Sequence, residues 1–226
     1  LAGLAAAVGA GISPVFLGAA AGVICAAFAW QSISLDLLDG VLLAGIVAAG
    51  AMALAAGPPG PATLTRAGIA FMGPLYVGLP LGAIASIRIM AGAPAVFWLL
   101  LVVAVSDSAQ YYTGRAIGRR KLAPAVSPAK TVEGAIGGLV AATIAGALAG
   151  PRLVNVIPLT LATGAAAGLF VAAFGILGDL FESLLKRSAG VKDSSSLIPG
   201  HGGVLDRIDS YLFAAPCYYV VLRWLV

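Results

Sequence analysis

The sequence predicts an all-α fold: a polytopic helical integral membrane protein with about seven or eight transmembrane helices and polar segments gathered on one side. Three observations carry that prediction. Apolar residues make up 61% of the 226 and charged residues only 10%, with a mean hydropathy of +1.04, whereas a soluble domain carries about a quarter charged residues. Apolar runs of about 20 residues, enough to cross a bilayer core of roughly 30 Å, recur along the whole chain. Those runs are continuous and rich in Ala, Leu and Gly. They lack the alternation of a membrane barrel strand, so the spans are helices.

Taken in order, the spans fall at roughly residues 1–12, 14–30, 38–56, 68–87, 92–110, 133–150, 156–180 and 210–226. The opening "LAGLAAAVGAGISPVFLGAAAGVICAAFAW" has no basic start and no cleavage site, so it reads as a trimmed first span rather than a signal peptide. "AAGPPGPATLTR" (55–66) reads as a Pro/Gly loop between spans. The 30 glycines suit close packing of helices in lipid. Cys25 and Cys217 both lie in apolar runs and build neither a disulfide framework nor a metal site. Residues 1–100 thus read as a group of N-terminal transmembrane helices, and 101–226 as the C-terminal transmembrane region where the chemistry resides.

Charge is what separates the two regions. Residues 106–133 and 178–210 hold nine of the thirteen basic and seven of the nine acidic residues. Spans 133–150 and 156–180 lie between these segments, so both segments emerge on one side. Both are rich in Lys and Arg, and the positive-inside rule assigns them to the cytoplasm. A single cytoplasmic site built from both segments, open to lipid, follows from that placement.

In "GILGDLFESLLKRSAGVKD", a helix continuing through 187 places Asp179, Glu182, Ser183 and Lys186 on one face. Asp179 lies at the edge of a deeply apolar span, where an ionisable group is a functional candidate; the plain alternative is a helix-end charge paired with Lys186 or Arg187. In "HGGVLDRID", Asp206 and Asp209 are one helical turn apart if the last helix begins near Val204. Carboxylates at a span's end suit Mg²⁺, which is held by one or two of them plus substrate phosphates. Lys186, Arg187, Lys192 and Arg207 can clamp phosphate oxygens. Gly202 and Gly203, with Gly200, let the backbone approach a phosphate closely. One His and two Cys exclude a zinc site, and the lone His201 has no nucleophile placed for it. Carboxylate-bound metal plus cations is the parts list for transfer at phosphorus.

The other segment, "SDSAQYYTGRAIGRRKLAPAVSPAKTVEGAIGG", adds Asp107, a basic cluster and the turn "SPAKTVEG". Arg119, Arg120 and Lys121 read mainly as a topology anchor that also attracts anionic headgroups. Lys130, after Ser127 and Pro128, sits at the mouth of a helix and can reach an anion there.

These residues carry a resemblance. "SLLKRSAGVKDSSSLIPGHGGVLDRID" (183–209) resembles the signature of the phosphatidate cytidylyltransferase family, also called CDP-diacylglycerol synthases. Ser, Lys-Arg, Lys-Asp, Pro-x-His-Gly-Gly and Asp-Arg-x-Asp stand at the family's spacing. The upstream segment is similar to the family's D-x-x-A-Y-x-x-G-R…L…SP-x-K-T-x-E-G region. The match is firm over about residues 100–210 and one of character only before that. Ser194–Ser196 stand where Ser-Gly-Asn is common, and the amino terminus is short for the family.

The resemblance implies that CTP and phosphatidic acid give CDP-diacylglycerol and pyrophosphate. It implies a polytopic homodimer in the lipid bilayer, with Mg²⁺, alone or with a second cation, held by Asp179 and Asp206 near the cytoplasmic face of a bacterial inner membrane. Lys186, Arg187, Lys192 and Arg207 are then the catalytic cations on the phosphates. Ser127, Lys130, His201, Gly202 and Gly203 are the substrate-binding candidates; His201 serves equally well to hold the glycine turn. Asp193 and Asp209 orient neighbouring cations. Two rivals remain: a CTP-dependent polyprenol or lipid kinase, which would release CDP instead of pyrophosphate, and a membrane transporter, which would place charges near mid-membrane rather than at span ends. A CDP-alcohol phosphotransferase lacks its spacing here. A lipid-binding scaffold would explain the basic residues but not the acidic ones beside them. With a net charge of +4 and basic residues bordering the bilayer, nucleic acid is not an expected partner.

Overall fold

A computed structural model describes residues 1–30, 35–55, 60–156, 159–195 and 203–225. The order is α1 (Ala2–Ala7), α2 (Pro14–Trp30), α3 (Leu35–Ala55), α4 (Pro61–Ile117), β1 (Lys121–Ala123), β2 (Ser127–Thr131), α5 (Val132–Leu153), α6 (Leu161–Ser188) and α7 (Leu205–Leu225). Four of these helices, α3, α4, α5 and α6, are long and apolar enough to cross a membrane; α2 is a shorter apolar helix.

The break expected between spans 68–87 and 92–110 is present: α4 is two helices in succession, meeting at a kink at Gly92 (φ 81°, ψ 176°). That conformation is essentially confined to glycine, because a Cβ would clash there. At about 1.5 Å per residue the whole stretch is far longer than one bilayer crossing. Two local expectations are corrected. Helix begins at Pro61 inside the segment read as a loop. Proline fits the first helical turn, where its missing N–H has no partner to lose. In addition, "KLA" and "SPAKT" form a small antiparallel hairpin, pairing Lys121 with Thr131 and Ala123 with Ser127, where only helices were expected.

Two compact units divide the chain: Leu1–Ser86 with Leu185–Arg207, and Ile87–Leu184 with Ile208–Val226. In the first, α2 and the start of α4 pack through glycine. A Cβ on Gly78 would stand 2.7 Å from the Ala21 carbonyl oxygen, and one on Gly82 2.7 Å from Phe28 Cβ. Arg66 Nε donates to the Ala10 carbonyl at 2.6 Å.

In the second unit, α5 buries Gly134, Gly138, Ala142, Gly146 and Gly150, one residue per turn along its length. α6 answers with Gly164 and Gly168. A Cβ on Gly168 would meet the Ala142 oxygen at 2.5 Å, and one on Gly146 the Gly164 oxygen at 2.5 Å. The backbones touch, which is how helices associate when lipid offers no hydrophobic drive. Trp98 on α4 and Tyr218 on α7, both fully buried, stack at 4.8 Å between ring centres.

Candidate active site

The second unit builds a carboxylate cluster from four elements. The hairpin carries Lys130 on β2, and the next residue in the chain fixes its position. Thr131 is the N-cap of α5, its hydroxyl accepting the Gly134 N–H at 3.1 Å. Gly114 and Gly118, near the end of α4, leave room for that hydroxyl: a Cβ on either would approach it to 3.0 and 2.7 Å. Lys130 Nζ forms an ion pair with Asp179 Oδ2 of α6. Ser183, one turn on, points its hydroxyl at Asp179 Oδ1 (3.5 Å). Gly178 lets α7 approach α6 here, since a Cβ would stand 2.7 Å from the Asp209 carbonyl oxygen.

Two further carboxylates feel the charge of Asp179. Asp107 of α4 accepts from Gln110 Nε2 (3.1 Å) and from Ser210 Oγ (3.4 Å). Asp209 accepts the Ser210 N–H at 2.7 Å. Glu182 is wholly buried one turn beyond Asp179. Lys130 thus stands among several acids drawn from three helices.

The first unit holds a second constellation. α6 ends in a Schellman turn: Gly190 takes φ 70°, its N–H bonds to the Arg187 carbonyl and the Val191 N–H to the Lys186 carbonyl, both at 3.0 Å. A side chain at 190 would be strained, so the glycine directs the chain from Lys186 and Arg187 toward Lys192, Asp193 and Ser194. Asp206, in the first turn of α7, gathers the donors of this turn. Lys186 Nζ stands 2.7 Å from Oδ1. Ser194 donates its hydroxyl (2.7 Å) and its N–H (3.0 Å) to Oδ2. The Gly203 N–H donates to Oδ2 at 2.7 Å, like the return arm of a capping box. A Cβ on Gly203 would collide with Ser194 Oγ as it stands, so a side chain here would have to displace the Ser194 hydroxyl from Asp206.

A profile of the cytidylyltransferase family matches residues 6–225. The chain belongs to the cytidylyltransferase family. Among its relatives, the phosphatidate cytidylyltransferase of Bacillus subtilis (strain 168) is 40% identical over 162 residues, covering 71% of this chain and 60% of its own length. That of Haemophilus influenzae is 47% identical over 131 residues, covering 54% and 43%. The uncharacterized protein YnbB of Escherichia coli (strain K12) is 45% identical over 137 residues, covering 61% and 45%. The chain spans about half the length of the curated relatives it matches.

In this cytidylyltransferase-family chain the structure brings together Lys130 with Asp179, and Lys186 with Asp206 and Gly203. Ser127 opens β2 three residues before Lys130, paired with Ala123. Arg187 Nη1 reaches the Val191 carbonyl at 3.4 Å. Lys192, Asp193 and Arg207 are exposed. His201 and Gly202, with Gly200, lie outside the described residues. Missing from the sequence-derived site are Asp107, Ser194 and Ser210; Asp209 lies close enough to Asp179, Glu182 and Asp107 to feel their charge. The one available signal was the occurrence of Asp107 and Asp209 at span ends.

Among the described residues no three of His, Cys, Asp and Glu form a ready metal cage. Asp179 in the second unit and Asp206 in the first are, each taken by itself, the hard-oxygen kind of donor that Mg²⁺ takes alongside substrate phosphates, and each has an ammonium beside it.

Burial works against the charge of Asp206, but Lys186, the Ser194 hydroxyl and the N–H groups of Gly203 and Ser194 outweigh it and hold the carboxyl well below the usual carboxylate range. A depressed folded value stabilises the fold fully above the ordinary Asp value of about 3.9, and that stability is lost as pH falls through the folded value. The melting temperature of the wild type in detergent is therefore expected to drop more steeply below about pH 4 than that of Asp206→Asn. Parallel curves would show that Asp206 is not linked to folding.

Proposed function

We propose that this chain transfers the cytidylyl group of CTP to phosphatidic acid, giving CDP-diacylglycerol and pyrophosphate. The observation that carries the reading is the pair of carboxylate–ammonium contacts, Lys130–Asp179 and Lys186–Asp206. They sit within segments matched to a cytidylyltransferase family whose relatives are named phosphatidate cytidylyltransferases. The wider reading is a polytopic protein of seven or eight crossings, a homodimer in a bacterial inner membrane, with its polar segments on the cytoplasmic side. The excess of Lys and Arg in those segments supports that side.

A phosphate oxygen of phosphatidate forms a new bond to the α-phosphorus of CTP, in line with the bond that breaks. The bridging oxygen leaves with its electron pair as part of pyrophosphate. The nucleophile is already an anion, so no covalent enzyme intermediate or general base is required. Catalysis is positioning and charge neutralisation. Lys186, Arg187, Lys192 and Arg207 bind phosphate oxygens, and Lys130 with Ser127 holds the triphosphate or the lipid phosphate. Asp179 and Asp206 are the carboxylates that would hold Mg²⁺, which would supply charge neutralisation on the triphosphate and its leaving group.

The testing experiment is a micelle assay with phosphatidic acid, Mg²⁺ and CTP labelled separately at the α- and γ-phosphates. Entry of α-label into lipid with pyrophosphate release is expected. Entry of γ-label would mean a kinase, and no transfer by folded protein would overturn both enzymatic readings.

Lys192→Ala is expected to lower kcat/KM by about ten- to a hundredfold, the loss of one charge-assisted phosphate contact. Steady-state kinetics that match the wild type would make Lys192 a topology charge.

A further inference from the structure

Between Asp107 and Asp179 the chain carries a single acidic residue, Glu133. Its carboxylate is turned to the backbone. Oε2 accepts the N–H of Arg119 at 3.0 Å, and both oxygens accept the N–H of Arg120, at 3.1 and 3.3 Å. The one anion available to the surrounding cations is therefore hydrogen-bonded to main chain, at the residues whose guanidinium groups it would otherwise pair with. Arg115, Arg119, Arg120 and Lys121 are all exposed. Among the described residues none of these four forms an ion pair. Arg115 instead donates to the Tyr111 hydroxyl at 3.1 Å.

The same stretch carries unburied rings and aliphatic surface. Tyr111 is 59% and Tyr112 69% exposed, their rings meeting edge-on at 5.3 Å, and Ile117 is 61% exposed. The last turns of α4 and the start of β1 thus present tyrosines and an isoleucine, together with four positive charges. None of the four is within ion-pair distance of a carboxylate among the described residues; Arg120 alone is close enough to Glu133 for the two charges to be felt. A small soluble anion would neutralise the cations but leave Tyr112 and Ile117 in water. A bilayer boundary satisfies both: Tyr favours the headgroup level beside a transmembrane helix, and clusters of four to eight Lys or Arg just outside a span attract anionic lipid.

We propose that this stripe is a docking surface for the headgroups of anionic phospholipids. It keeps a local pool of anionic lipid beside the hairpin that carries Lys130. Glu133 enables it by spending its hydrogen bonds on the backbone N–H groups of Arg119 and Arg120 rather than on their side chains. The inference does not depend on the cytidylyl transfer.

The test uses the whole chain in phosphatidylcholine vesicles with trace spin-labelled phosphatidylglycerol or spin-labelled phosphatidylcholine, reading the motionally restricted lipid. The wild type is expected to retain phosphatidylglycerol in preference. Raising salt from about 0.05 M to 0.5 M shortens the screening length and should remove most of that preference. The Arg119→Gln/Arg120→Gln/Lys121→Gln variant should lose about fivefold or more. Arg119→Lys/Arg120→Lys, which keeps the charge, should retain it. A salt-independent preference, or one that survives in the triple variant, overturns the proposal. So does a triple variant with normal lipid retention but a raised KM for CTP, which would assign the patch to nucleotide. The wild-type salt series decides the matter even if the triple variant fails to fold.

Discussion

Asp206→Asn is expected to give a folded protein that transfers no detectable cytidylyl group in the presence of Mg²⁺. The carboxylate receives Lys186, two donors from Ser194 and the Gly203 N–H, all within about hydrogen-bond distance. An amide keeps one acceptor oxygen, but its NH₂ faces either Lys186 or the Ser194 and Gly203 donors, and the charge opposite Lys186 is gone. Each hydrogen bond to a charged group is worth roughly 1.5–3 kcal/mol, so losing more than one reduces turnover by well over a hundredfold. The loop stays closed over residues 186–194 because the Schellman turn at Gly190 does not involve Asp206. Radiolabel transfer, run beside thermal unfolding in the same detergent, separates lost chemistry from lost fold. Wild-type activity in Asp206→Asn would remove this residue from the metal site.

Gly168→Leu is expected to prevent folding altogether, or to lower the melting temperature by more than about ten degrees. At Gly168 even a Cβ would stand 2.5 Å from the Ala142 carbonyl oxygen and 3.0 Å from Gly146 Cα, and both neighbours are backbone. Side chains can rotate away from an intruder; main chain in the middle of two helices cannot. Ordinary overpacking costs about 1–3 kcal/mol, and prising two helices apart along the α5–α6 contact costs more. Gly40→Leu is the control, since a Cβ at Gly40 meets nothing within 4 Å. Equal melting temperatures for the two variants would mean that α5 and α6 do not touch as described.

Much of this site is legible in the sequence. The spacing of Asp179, Glu182, Ser183 and Lys186 requires only a helix that does not stop at the apolar boundary, and α6 runs on to Ser188. A helix beginning near Val204 likewise needs only the local pattern, and α7 starts at Leu205. Two intervening spans return the chain to one side, which makes a meeting of Lys130 with Asp179 possible in outline. Residues from different helices are another matter. Periodicity ranks positions around one axis and carries no information on which axes are neighbours, so the span-end placement of Asp107 and Asp209 was their only signal, and Ser210 gave none. The hairpin escaped for a different reason. Three- and five-residue strands containing Pro128 are too short for any alternation to register, and pairing partners fix them. The break between the spans at 68–87 and 92–110 was legible, and it is made at Gly92, whose positive φ only a residue without a side chain takes easily.

The division into units sets an order of assembly. The first unit takes its opening stretch from Leu1–Ser86 and its closing piece from Leu185–Arg207, with all of Ile87–Leu184 synthesised between them. At 5–20 residues per second a ribosome needs on the order of ten seconds to bridge that gap. During that time the early helices wait in the membrane without the segment that carries Lys186, Ser194 and Asp206. A nascent chain arrested just before residue 185 has α5 and most of α6 but no Asp206, so the contacts among Lys186, Ser194 and Asp206 cannot close until all of Ile87–Leu184 has been made.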